Sequence, residues 1–257
     1  MSIKFIILGC GSSMGVPRAD GYFGYCNQNE KKNYRTRCSA IISSNSGNTL
    51  IDTSPDLRFQ LLKNKIKNIS RVLYTHSHAD QTHGINDLRI FYMKNKKKIP
   101  IYANNSTKKY LVKNFKYCFK KTSSYPPTLR MNSLKEINVF KDKKIKLNIR
   151  NVLVKHGSEK CSAFIINNKC AYLSDVNKIY FNDHKYFINL NYLVIDCLRY
   201  DKHPSHYNLV EVLKLIKLLK PKKTILTNLH TDLDYKKFKK QLPKNVIPAY
   251  DGMSFSL

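Results

Sequence analysis

Alternation of short apolar runs with amphipathic stripes predicts a chain of mixed structure, α/β or α+β. Two observations carry that prediction. Short apolar or alternating runs, many of them β-branched, recur along the 257 residues and suit strands. Stretches with apolar residues three and four apart interrupt them and suit helices. The hydrophobic fraction of 42% is enough for a buried core.

Taken in order, Phe5 to Leu8 reads as a first strand running into a glycine turn, and not as a signal peptide. Ala40 to Ser43 and Thr49 to Asp52 follow as strands, and Leu57 to Lys65 as a helix. Val72 to Tyr74 and Ile99 to Tyr102 are strands, and Ser106 to Phe115 is a helix. Residues 115–135, with Pro126-Pro127 and many polar side chains, read as an irregular insertion. Ile145 to Val154, Ala163 to Ile166, Ala171 to Leu173 and Tyr192 to Ile195 are strands. The clearest helix is Asn208 to Leu219, where Leu209, Val212, Leu213, Ile216 and Leu219 form one stripe that Pro221 ends. Thr224 to Leu226 is the last strand. No linker or tandem repeat divides the chain, so one domain over 1–257 is expected.

No apolar run approaches the roughly 20 residues needed to span a bilayer. Seven scattered cysteines, an odd number, suit reduced thiols in a cytoplasm better than a disulfide framework. The formal charge of +29 comes from dispersed lysines, as at Lys94 to Lys98 and Lys141 to Lys146, without the Arg-aromatic pattern of an RNA module. A nucleic-acid partner is therefore not favoured. The positive field would still draw in a phosphorylated small molecule.

The tract Tyr74-Thr75-His76-Ser77-His78-Ala79-Asp80-Gln81 places two imidazoles and a carboxylate at alternating positions after an apolar run. In a strand, or a loop leaving one, alternate residues point the same way, so His76, His78 and Asp80 can converge. That donor set suits a borderline divalent metal. Three later strand ends offer further donors: His156 before Gly157, Asp175 after Leu173-Ser174, and Asn228 with His230 after Leu226-Thr227.

The tract resembles the His-x-His-x-Asp-His motif of the metallo-β-lactamase-like hydrolases. Leu8-Gly9-Cys10-Gly11-Ser12-Ser13-Met14-Gly15-Val16-Pro17-Arg18, Ile51-Asp52-Thr53-Ser54-Pro55-Asp56 and Gly84-Ile85-Asn86-Asp87-Leu88-Arg89 are similar to motifs of one branch, the phosphoribosyl 1,2-cyclic phosphate phosphodiesterases. The resemblance implies an α+β fold, an αβ/βα sandwich of two mixed β-sheets flanked by helices. It implies one or two divalent metals per chain, zinc or manganese. His76, His78, His156 and Asp175 match the first metal site, and Asp80 with Asp175 the second.

Two positions depart from the family. Gln81 and Asn228 stand where two-metal members carry histidines for the second metal. His230 is two residues beyond Asn228, and strand alternation would let it serve that site instead. The branch often has a structural zinc loop, but here Cys26 alone remains of its thiols, and Cys26 and Cys38 read as plain thiols. Arg35 and Arg37, in a basic loop, are candidates to grip a phosphate. His206 matches a family histidine that contacts the scissile phosphate or protonates the leaving oxygen, with His203 as its substitute.

The expected function is metal-assisted hydrolysis of a small cyclic phosphate or another phosphodiester. Asp80 would orient the attacking water and His206 would protonate the leaving alkoxide. The alternatives are an RNA-processing nuclease of the same fold, a thioester or lactone hydrolase, and a metal-poor protein that binds a phosphorylated ligand. A homodimer is compatible with the chain, and a membrane partner is not expected.

Overall fold

The computed structural model describes residues 3–45, 47–121, 125–141 and 146–257. Ile145, where one expected strand begins, part of the Lys141 to Lys146 run, and residues 122–124 of the expected insertion lie outside them.

The strands are β1 (Lys4–Gly9), β2 (Ser39–Ser44), β3 (Gly47–Ile51), β4 (Arg71–Leu73), β5 (Ile99–Ala103), β6 (Leu129–Ser133), β7 (Ile137–Lys141), β8 (Lys146–His156), β9 (Glu159–Ile166), β10 (Cys170–Leu173), β11 (Tyr192–Asp196), β12 (Lys223–Thr227), β13 (Val246–Pro248) and β14 (Ser254–Ser256). The helices are α1 (Leu57–Lys63), α2 (Ala79–Thr82), α3 (Arg89–Asn95), α4 (Asn105–Asn114), α5 (Lys116–Phe119), α6 (Leu209–Leu219) and α7 (Tyr235–Gln241). They build two seven-stranded mixed sheets, ordered β14-β1-β2-β3-β4-β5-β6 and β13-β12-β11-β10-β9-β8-β7.

Each sheet is antiparallel in one half and parallel in the other. Strands β3 to β6 pair in parallel in the first sheet, and β10 to β13 in the second. Period-two alternation explains how apolar runs become inner strands. In β1, Phe5 and Ile7 face the core between the sheets, while Ile6 and Leu8 face a second core with Leu57 and Leu61 of α1. In β10, Tyr172 faces the inter-sheet core, while Ala171 and Leu173 meet Val212 and Ile216 of α6. Both faces are covered, so the runs are nearly continuous in hydrophobicity.

Helix α6 forms as its stripe predicts. Asn208 caps it and closes a capping box with Glu211, and Lys220 ends it in the left-handed region at φ 49°. Among the described residues, no helix is long and apolar enough to cross a membrane.

The expected irregular insertion over 115–135 is corrected. It contains α5 and the strand β6. The segment Leu129-Arg130-Met131-Asn132-Ser133 is a sheet edge with little apolar content, so its pattern is faint in sequence.

Arg35 is corrected as a phosphate ligand. Its side chain is 2% exposed and its guanidinium is spent inside the protein. It donates to the His230 carbonyl at 3.1 Å, to Asn33 Oδ1 at 3.0 Å and to the Leu233 carbonyl. It thereby ties the early loop to the chain after β12. Cys26 donates to the Thr231 carbonyl in the same joint, and Cys26 and Cys38 are buried free thiols. Replacing Arg35 with Met keeps the length and removes the donors. The Leu233 carbonyl then loses its donor, while Asn33 Oδ1 keeps the Tyr235 N–H and the His230 carbonyl keeps the Leu233 N–H, and Arg35→Met is expected to lower the unfolding free energy by roughly 1–3 kcal/mol, read from urea unfolding midpoints.

Candidate metal centre

The centre lies at strand ends from both sheets. The loop after β4 carries His76 and His78, and β8 ends in His156. Asp175 follows β10, Asp196 ends β11, and Asn228 follows β12. Ligand sites favour the carboxyl ends of parallel strands because the chain leaves the sheet there.

The His76 loop is held from beneath. Asp52, fully buried after β3, accepts the backbone N–H and the hydroxyl of Thr75, both at 2.8 Å. Burial raises the Asp52 carboxyl well above its usual range, and the two Thr75 bonds pull against that. Thr53 donates its N–H to the Gln81 carbonyl at 2.8 Å, and Gly84 donates to the Thr53 carbonyl at 2.9 Å. A Cβ on Gly84 would lie 2.0 Å from the Ser54 carbonyl oxygen, so this approach requires glycine.

Three imidazoles converge. The ring centroids of His76 lie 4.4 Å from His78 and 5.2 Å from His156, and those of His78 and His156 are 5.2 Å apart. One nitrogen from each lies within 4.8 Å of the others. A second set, His156, Asp175 and His206, satisfies the same limit.

The tautomers are set by neighbours. His76 Nδ1 donates to Thr75 Oγ1 at 3.0 Å, because the Thr75 hydrogen goes to Asp52. His76 Nε2 is then a buried acceptor without a protein partner. Burial pushes His76 down to about 3, against the pull of Asp175. His156 Nδ1 donates to the Ser205 carbonyl at 2.8 Å, and burial lowers this imidazole too. Neutral rings with a free nitrogen are what a divalent metal needs, so the donor set fits one.

Asp80 is placed differently from expectation. Alternation does not aim it, since it lies in the first turn of α2, whose start at Ala79 breaks the strand period. Burial, then the charge of Asp175, raises it to about 6.

Both amides reach the centre. Gln81 Nε2 donates to Asp175 Oδ2 at 2.8 Å, and Asn228 Nδ2 donates to Asp175 Oδ1 at 3.4 Å and to the Ser174 carbonyl at 3.0 Å. Burial works against the Asp175 charge, but His76, His206 and His156 outweigh it and hold the carboxyl below its usual range.

His230 is corrected as a second-site ligand. Asn228 takes a left-handed conformation at φ 61°, so strand alternation ends at β12. His230 Nδ1 turns instead to Asp232 Oδ1 at 3.2 Å. Arg37 stays near Asp80, but its guanidinium forks Asp56, with Nε to Oδ2 at 2.8 Å and Nη2 to Oδ1 at 2.7 Å. It is committed to that carboxylate and is corrected as a free phosphate grip.

His206 stands beside His156, with ring centroids 4.7 Å apart. Its Nδ1 pairs with Asp196 Oδ2 at 2.6 Å. Burial opposes a charged His206, yet Asp196 outweighs it and raises the imidazole to about 9. Burial likewise raises Asp196, to about 7, while the His206 charge lowers it. His203 lies outside His206, with its Nδ1 against Ser205. Sequence reading missed Asp196, Thr75 and Ser205 as supports of the centre. For Asp196 a signal existed, an Asp directly after an apolar strand, as at Asp52.

Comparison with known proteins identifies the family of the fold. The family model described as the β-lactamase superfamily domain matches residues 47–228. A Porphyromonas gingivalis (strain ATCC BAA-308 / W83) protein named octanoyltransferase is 29% identical over 98% of this chain and 51% of its own length. The chain thus spans about half the length of that curated relative. A crystal structure of a new diphosphatase from the PhnP family is 30% identical, covers 100% of this chain and 98% of the other, and has a TM-score of 0.90. Human tRNase Z, short form, shares the fold at 16% identity and a TM-score of 0.68, covering 98% of each chain. The chain belongs to the β-lactamase superfamily domain family and has the metallo-β-lactamase fold.

Proposed function

We propose that this chain is a metal-dependent phosphodiesterase acting on a small cyclic phosphate or another small phosphodiester. The carrying observation is His206, held through Nδ1 by buried Asp196 and packed against the three-imidazole set. Asp196 keeps His206 a proton donor at neutral pH, and its other ring nitrogen is left for a leaving oxygen.

His76, His78 and His156, with Asp175, would hold a divalent ion, zinc or manganese. When bound, that ion supplies a Lewis acid that makes water nucleophilic near neutral pH. Asp80, raised to about 6, accepts a hydrogen bond from the attacking water and orients it. His206 passes its proton to the departing alkoxide, and Asp196 holds the ring in line while it does so. Asp175 balances the imidazoles and fixes their spacing.

The diphosphatase neighbour supports a phosphoryl substrate. The octanoyltransferase relative favours a second reading, hydrolysis of an acyl thioester. A thiolate leaves without needing a proton, so the His206–Asp196 pair favours an oxygen leaving group. A nuclease reading is separable by salt. A ligand touched through six to ten phosphates loses roughly 10³–10⁵ in affinity between 50 and 200 mM salt, and a single phosphodiester loses far less.

A panel of cyclic and linear phosphodiesters, a diphosphate ester and an octanoyl thioester tests the reading. Turnover of a phosphodiester is expected, abolished by chelation and restored by zinc or manganese. Turnover of the thioester alone would overturn it. His206→Ala is expected to lower turnover by roughly 10²–10⁴-fold on an alkyl phosphodiester. The loss should shrink on a nitrophenyl ester, whose phenolate departs unprotonated. Equal loss on both, with metal content unchanged, would remove the acid role.

A further inference from the structure

We infer that the centre holds a single divalent ion, and that the Gln81 and Asn228 side-chain amides close the place where a second would bind. The inference rests on the reading that the three imidazoles hold metal, and it concerns the other side of Asp175.

Asp175 is flanked unequally. The imidazoles His76 and His156 lie on one side, each with a nitrogen free of protein donors. On the other side, its two oxygens accept N–H groups, Oδ2 from Gln81 and Oδ1 from Asn228. Amide hydrogens carry positive partial charge, so a cation cannot approach a carboxylate through them. Neither amide can swing away, since Gln81 is fully buried and Asn228 is 2% exposed.

Turning the amides over would not open the site. A reversed Gln81 would set its oxygen against Asp175 Oδ2. A reversed Asn228 would set its oxygen against both Asp175 Oδ1 and the Ser174 carbonyl, now 3.0 Å from its nitrogen. Each reversal replaces buried hydrogen bonds with acceptor–acceptor contacts, which the one donor a reversed Asn228 would meet, His206 Nδ1 at 3.2 Å and already given to Asp196, does not offset. The ligand atoms left there are the Asp80 carboxylate and Gln81 Oε1, which is buried without a partner, because His230 is turned to Asp232 and His206 Nδ1 is paired with Asp196. One carboxylate and one neutral amide oxygen beside a blocked carboxylate fall short of the four ligands typical of such a metal. The set of His156, Asp175 and His206 shares His156 with the imidazole set, and His156 has one nitrogen to give because its Nδ1 is held by the Ser205 carbonyl. It is an alternative seat for the same ion and not a second site.

The amides do work that a second ion would otherwise do. They hold both oxygens of Asp175 and so orient it toward the imidazoles.

Metal-free protein titrated with Zn²⁺ alone, and separately with Mn²⁺ alone, reads the stoichiometry by calorimetry and by elemental analysis after desalting. One ion per chain is expected, lost in His76→Ala. The double substitution Gln81→His with Asn228→His, and the near-isosteric Gln81→Glu, should each raise the count to two. Melting curves confirm which variants fold. Two tightly held ions in the wild type, or one in every folded variant, overturns the inference. If neither variant folds, the wild-type count alone decides. Turnover is not the readout, so the outcomes separate. One bound ion without phosphodiester turnover would remove the proposed function and leave this inference, and two ions with turnover would do the reverse.

Discussion

A carboxylate buried at the junction of two sheets is the constraint around which the centre is built. Removing an ionised Asp175 from water is costly unless every oxygen is paired. Imidazoles answer that demand from one side and amides from the other. The imidazoles can do so only when oriented, and each orientation comes from elsewhere in the chain. Thr75, backed by Asp52, sets His76. The Ser205 carbonyl sets His156, and Asp196 sets His206. These partners come from strand ends of both sheets, so the centre exists only once the sheets have packed. The apolar alternation that drives the packing is therefore also what assembles the chemistry.

Much of this was legible in the sequence, for a simple reason. His156 ends the long strand β8, Asp175 closely follows the short apolar β10, and His76 and His78 follow β4. Strand ends can be read from local pattern, and the site uses strand ends. The layered sandwich itself was not legible from periodicity, which gave only mixed α and β. It came from the resemblance of separated motifs. Edge strand β6 was invisible because half-exposed polar residues leave little pattern, and β7 because its pattern is reversed, with Ile137 and Val139 exposed and Asn138 buried.

The two arginine misreadings share one cause, which is that tertiary partners are remote in sequence. Arg35 lies in a basic loop that looks solvated, yet the carbonyls it serves are 195 and 198 residues away. Arg37 looks available until Asp56, nineteen residues on, is seen to take its fork. With both committed, the cation that the centre itself offers a phosphate is His206. The field of the dispersed lysines acts only at longer range.

Backbone strain at two strand ends links these outcomes. Asp52 and Asn228 both take left-handed conformations, at φ 59° and 61°, immediately after β3 and β12. Such conformations cost roughly 1–2 kcal/mol for most residues, and Asp and Asn tolerate them best. Each residue offsets the strain with buried hydrogen bonds, Asp52 to Thr75 and Asn228 to Ser174 and Asp175. The left-handed step also turns the chain out of the strand, so the residues after it no longer follow strand alternation. At Asn228 that single step has two consequences. It presents the amide to Asp175, and it carries His230 away to Asp232. The residue that closes one side of the carboxylate thus also removes the imidazole that would have opened it.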